Sequence, residues 1–204
     1  MPRIRRWLLA LGTASVAIAS SVGSTASHAG ATWLDTADGT GWNSPGMAVP
    51  RTQAVAAADL GNPRCLDQQR PIETEADAQV AAAGWYLTGE YHAGWRLTLV
   101  TGAGNFDGMC RPLAYQQFVF ADGQFAGTVS PDLMDSRTDG AVSFAAISGA
   151  DQLTVQFARY APPDPLCCPS RETFATYTID RSSGAPVLVL QGVFTQPTTP
   201  GATP

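Results

Sequence analysis

The 204-residue chain contains no lysine; its 12 basic residues are all arginine. Of its two histidines, His28 falls in the N-terminal leader, which leaves His92 alone in the rest of the chain. No cysteine precedes Cys65, charged residues make up only 14%, and no apolar run reaches the ~20 residues of a membrane span. Each absence excludes something. One histidine leaves little room for a Ser/His/Asp or Cys/His site. No serine sits in a G-x-S-x-G elbow, and no glycine-rich stretch has the phosphate-loop or dinucleotide spacing. Without a C-x-x-C pair and with one histidine, a zinc site is poorly supplied, so no metal and no cofactor is expected.

What is present at the start is a secretory leader. Arg3, Arg5 and Arg6 form a positive region, Trp7 to Ala19 an apolar one, and Ser27-His28-Ala29 a small-residue cleavage site near Ala29. The expected location is the medium, the periplasm or the cell envelope. The first cysteine lies too far on to carry a lipid at the new N-terminus. Past the leader, nine arginines against 17 acidic residues give a formal charge of −8. An acidic surface without a basic cluster argues against nucleic acid and anionic membranes as partners. The partner expected is an envelope or extracellular component of unknown identity, with no transmembrane segment after the leader.

Four cysteines in an exported chain read as disulfides: Cys65, Cys110, Cys167 and Cys168. Adjacent cysteines have Cα atoms ~3.8 Å apart, less than the usual ~4.4–6.8 Å of a bridge. Pro169 also favours an extended Cys168, which turns the two side chains apart. The expectation is therefore two staples, with Cys167 and Cys168 reaching Cys65 and Cys110 in either order.

The chain divides into a leader (1–29), an irregular, turn-rich arm (30–53), one domain (54–194) and a flexible tail (195–204). In "PIETEADAQVAAAGW", Thr74 caps a helix, Asp77 completes a capping box and Gly84 ends the helix. Period-2 runs follow at 95–102, 115–131, 141–148, 152–160, 172–180 and 185–193, with Asp122-Gly123 at a hairpin turn. The expected fold class is α+β: an antiparallel meander of six to seven strands with one clear helix, stapled by disulfides.

Three places offer chemistry. Glu90 and His92, two residues apart, would share a strand face as a hydrolytic pair. In "SPDLMDSRTDGA", Asp132, Asp135, Arg137 and Asp139 form a candidate ligand or partner loop. The EF-hand pattern fails there, since Arg137 and Ala146 occupy ligand positions; a structural reading has Arg137 bridging Asp135 or Asp139. The 167–168 pair is the third. No catalytic constellation is complete, so the chain reads as a non-enzymatic exported binding module. Aromatic residues on alternating strands would supply its exposed patch. The rivals are a secreted hydrolase built on carboxylates or His92, and a thiol-redox protein built on Cys167 and Cys168.

"QQFVFADGQFAGTVSP" has a short apolar strand, a glycine turn, an aromatic, then Gly-Thr and a small or β-branched run. Phe118, Phe120, Gly123, Phe125, Gly127 and Thr128 fit this pattern, which resembles the hairpin of the LppP/LprE family of exported bacterial proteins. The resemblance covers roughly residues 75–193. It implies an envelope or secreted domain and supplies no catalytic residue or cofactor. The family's lipid anchor does not carry over, because its cysteine is missing here.

Overall fold

The computed structural model describes residues 31–36, 41–52 and 54–198, with Tyr91 described in backbone only. The expected leader and cleavage site lie outside the described residues.

The helix forms where its caps place it. In α1 (Glu75–Ala82) the Thr74 hydroxyl accepts the Asp77 amide at 3.1 Å, and the Asp77 carboxylate accepts the Thr74 amide at 3.0 Å. Asp77 also accepts the Glu73 amide and pairs with the Arg70 guanidinium. Gly84, at φ 98°, turns the chain out of the helix. A helix this short is unstable alone in water, so tertiary packing must hold it. Ala76 and Val80 seat it on Trp85, Leu87, Val100 and Phe118.

Among the described residues ten strands follow, all paired antiparallel. The first sheet, in order β1-β2-β5-β6, uses Tyr86–Gly94, Leu97–Ala103, Gln116–Ala121 and Gln124–Thr128. The short strands β3 (Asn105–Phe106) and β4 (Pro112–Leu113) form a ribbon inserted after β2. The second sheet, in order β10-β9-β8-β7, uses Val187–Pro197, Arg171–Asp180, Gln152–Arg159 and Val142–Gly149. Each sheet is thus a meander, and the two face one another. Leu99, Val119 and Val129 meet Leu153, Val155 and Tyr177 in the shared core. The helix covers the outer side of the first sheet, which is why every residue of β5 is buried although its strand alternates faces.

Strand number exceeds the expectation because β1, β3 and β4 escape a period-2 reading. A register shift between Thr88 and His92, with Gly89 at φ 72°, interrupts β1. The ribbon strands are two residues each. The Asp122-Gly123 turn forms as expected, with φ 51° and 77°. Strand β10 runs to Pro197, and Thr198 bonds back to Pro169 and Ser170, so the start of the expected tail is structured. Residues 199–204 lie outside the described residues.

The N-terminal arm is irregular but belongs to the core. Leu34 is buried there, and Trp33 meets Phe157 edge-on at 5.5 Å. Asn43 sits where β6 and β10 run side by side. Its amide donates to the Thr128 and Leu188 carbonyls at 3.1 and 3.0 Å and accepts the Thr128 amide at 2.9 Å. One side chain therefore ties the edges of the two sheets together.

The cysteines pair otherwise than expected. Cys65 bonds to Cys110, and Cys167 bonds to Cys168. The expectation assumed an extended backbone at Cys168. Instead the Cys168 amide donates to the Pro165 carbonyl at 2.9 Å, so residues 165–168 form a tight turn. A turn brings neighbouring side chains to one side, whereas an extended strand separates them. Their Cα atoms lie 3.7 Å apart.

Candidate functional site on the second sheet

The first sheet is covered on both faces; among the described residues no helix covers the outer face of the second. Along β9 the buried residues are Thr173, Ala175, Tyr177 and Ile179, so Glu172, Phe174, Thr176 and Thr178 point outward. Register carries that face across the sheet. Phe144 pairs with Gln156, Gln156 with Phe174, and Phe174 with Phe194. Neighbouring strands lie ~4.8 Å apart, so this row of three aromatics and one amide spans about 14 Å. Phe144 is 51% exposed and Phe194 64% exposed. Phe174 between them is half-buried.

Polar groups border the row. The Glu172 carboxylate accepts from Gln196 at 2.7 Å on one side and from Gln156 on the other. Further along, Gln191 donates to the Thr178 hydroxyl at 2.8 Å. The face therefore offers phenyl rings, primary amides and hydroxyls around one carboxylate that two amides already hold.

The residues singled out in the sequence are placed elsewhere. Glu90 and His92 are both exposed on β1, Glu90 within its register shift and His92 where pairing resumes, so simple alternation does not govern their common face. In the 132–139 loop the Asp135 and Asp139 carboxylates bond to the fold. Asp135 accepts the Ala114 amide at 2.7 Å, and the Ser130 hydroxyl donates to the Asp132 carbonyl at 2.8 Å. Asp139 accepts the Tyr160 amide at 2.7 Å and Arg159 Nε at 3.0 Å. The cation on Asp139 is thus Arg159 and not the exposed Arg137, which the chain places at φ 63°.

Arg159 was not legible as a site residue. It is buried, and it joins Asp139 to Asp35 of the arm, 124 positions away in sequence. Burial would lower its basicity, but the bonds from Asp35 and Asp139 outweigh that and raise it. Burial likewise pushes Asp35 up, and Arg159 and the Thr32 amide bring it below the usual carboxylate range. This triad fastens the arm. Among the described residues no group of three or more histidine, cysteine or acidic side chains is arranged to hold a metal ion. An open groove of about 560 Å³ also lies between the arm at Met47 and Val49, the end of α1 and the β5–β6 turn.

The β5–β6 hairpin explains how these parts hold together. Phe118, Phe120 and Phe125 form the seat of α1. Gly127, at φ 143°, leaves open the space that Asn43 fills: a Cβ there would lie 2.2 Å from the Asn43 side-chain carbon. Thr128 receives Asn43 and the Trp42 indole N–H. Residues 89–182 match the LppP/LprE lipoprotein family. The matched segment runs from within β1 to just past β9, and so includes three of the four strands of the second sheet. The arm, α1, Cys65 and β10 lie outside it. No curated protein and no solved structure matches the chain. Among the described residues no helix is long and apolar enough to cross a membrane.

Proposed function

We propose that this protein is an exported, non-enzymatic module of the cell envelope that binds a neutral polysaccharide through the outer face of its second sheet. The leader-like N-terminus and the match to a lipoprotein family support the envelope setting. The observation that carries the ligand class is the row Phe144–Gln156–Phe174–Phe194. A pyranose ring has an apolar C–H face and a rim of hydroxyls. Phenyl rings take the first, and amides, hydroxyls and a carboxylate take the second. The charge balance points the same way. The chain past the leader carries −8, so an anionic polymer would be repelled, whereas a neutral one is not.

The test is co-sedimentation of the leaderless protein with insoluble glycans, including purified cell-wall sacculi, chitin and cellulose. Binding to at least one is expected, with a loss of about tenfold in affinity for the Phe174→Ala, Phe194→Ala double variant, or about 1.4 kcal/mol. No binding to any glycan, or equal binding by the folded variant, would remove this reading. A dimer that the same substitutions dissolve would show the face to be a contact between two copies.

A further inference from the structure

The two disulfides differ in every respect that decides what a disulfide does. Cys65–Cys110 closes a loop across 45 positions, and Cys65 is fully buried in the core. Cys167–Cys168 closes no loop at all, and both residues are exposed. A bridge between neighbours removes almost nothing from the freedom of the unfolded chain, so it is not a staple in the usual sense.

Nor is the loop held by that bridge. Asp164 accepts the amides of Ala161 and Ser170 at 2.7 and 2.8 Å and so fastens the two ends of the segment. The Tyr160 hydroxyl donates to the Leu166 carbonyl at 2.9 Å. Thr198 binds the far end, its hydroxyl donating to the Pro169 carbonyl and its amide to the Ser170 carbonyl. Each of these bonds leaves the sulfurs free. None of these bonds, nor the Cys168 amide to Pro165 carbonyl bond of the turn, depends on the bridge, so the segment stays anchored when the bridge opens.

From this contrast we infer that Cys167–Cys168 is a redox-active disulfide, which exchanges with an external dithiol while Cys65–Cys110 stays closed. The external thiolate attacks one of the exposed sulfurs, forms a mixed disulfide and expels the other cysteine as a thiolate, which takes up a proton. The second external thiol, losing its proton, attacks the mixed disulfide and releases the first cysteine. Two electrons and two protons pass to Cys167 and Cys168, and the dithiol becomes a disulfide. Access to sulfur governs the rate of such exchange, and exposed bridges are the labile ones. The chemical partner is the dithiol pair of a thiol oxidoreductase, for which dithiothreitol is the probe.

The folded, leaderless protein is equilibrated with graded dithiothreitol, alkylated and mapped by mass spectrometry. Cys167 and Cys168 should become alkylated at a dithiothreitol concentration at least about tenfold below that which opens Cys65–Cys110, and oxidised dithiothreitol should close them again. Opening of both bridges together would overturn the inference, as would a linkage of either neighbour to Cys65 or Cys110. The Cys167→Ser, Cys168→Ser variant supplies a second reading. Its melting temperature should equal that of the parent within about 2 °C, because no staple is lost. A large drop would make the pair structural.

Discussion

At the scale of single residues, the side chains that decide the structure are those that leave or fill space for a distant segment. Gly127 is the clearest. Its positive φ favours glycine, and the Asn43 side chain occupies the room a methyl group would need. Gly127→Ala should therefore displace Asn43 from both sheets and leave buried amide and carbonyl groups unpaired, at about 1–3 kcal/mol for each such group. Asn43→Ala removes the same bonds without the clash, so it should be the milder change. Urea unfolding of both variants checks the order; an alanine at 127 that costs less than one at 43 would show that Asn43 is not the seam residue. Asp77 is the second case. It caps α1 and holds Arg70, and its side chain is fully buried. Asp77→Ala takes a carboxylate away from the buried Arg70 guanidinium and the N-terminal acceptor away from α1, a loss of about 3–5 kcal/mol, readable in the same experiment.

At the scale of elements, legibility followed local signals. Thr74, Asp77 and Gly84 announce α1 because a helix is capped by its own neighbours, and Asp122-Gly123 announces its hairpin for the same reason. Strands β8 and β9 alternate visibly. The arm was not legible as part of the core. Its partners, Thr128, Leu188 and Arg159, lie 85 to 145 positions away, and no local period records them. The uncovered face was half legible: aromatics on alternating strands suggest a patch, but only register aligns Phe144, Phe174 and Phe194. The cysteine pairing failed for a related reason. The pattern around Pro169 suggests extension, and the bond from the Cys168 amide to the carbonyl of Pro165, three positions back, decides otherwise. The Cys65–Cys110 bridge, in contrast, joins the 3₁₀ segment Pro63–Gln68 to the β3–β4 ribbon. Cys65→Ser with Cys110→Ser should cost about 4 kcal/mol on the chain-entropy relation for a 45-position separation. A loss under about 1 kcal/mol in chemical denaturation would mean that the neighbouring packing holds the ribbon without it.

At the scale of the whole molecule, folding is coupled to acid through its carboxylates. Burial pushes Asp77 up, but Arg70, the Glu73 amide and the bond with Thr74 hold it below its ordinary 3.8; Asp35 and Asp107 are lowered in the same manner by Arg159 and Arg111. Backbone amides lower Asp164 and Asp180 at the surface. A carboxyl with a depressed folded value binds its proton more readily when unfolded. Its contribution is thus complete above the unfolded value near 3.8 and disappears as pH falls through the folded one. Two opposed effects meet on acidification. Neutralising the acidic surface relieves self-repulsion, and protonating Asp77 and Asp35 takes one carboxylate partner each from the buried Arg70 and Arg159 guanidinium groups. The second should win, because surface repulsion is screened by salt whereas a buried guanidinium without its carboxylate is not. Thermal melts in 0.15 M salt should then show a level Tm from pH 7 to about 5 and a steep fall below about 4. In Asp77→Asn that fall should be shallower, since one of the titrating groups is gone. A Tm that rises below pH 4, or an unchanged slope in the variant, would place the stability of the fold in its apolar core and not in the ion pairs that fasten the helix and the arm to it.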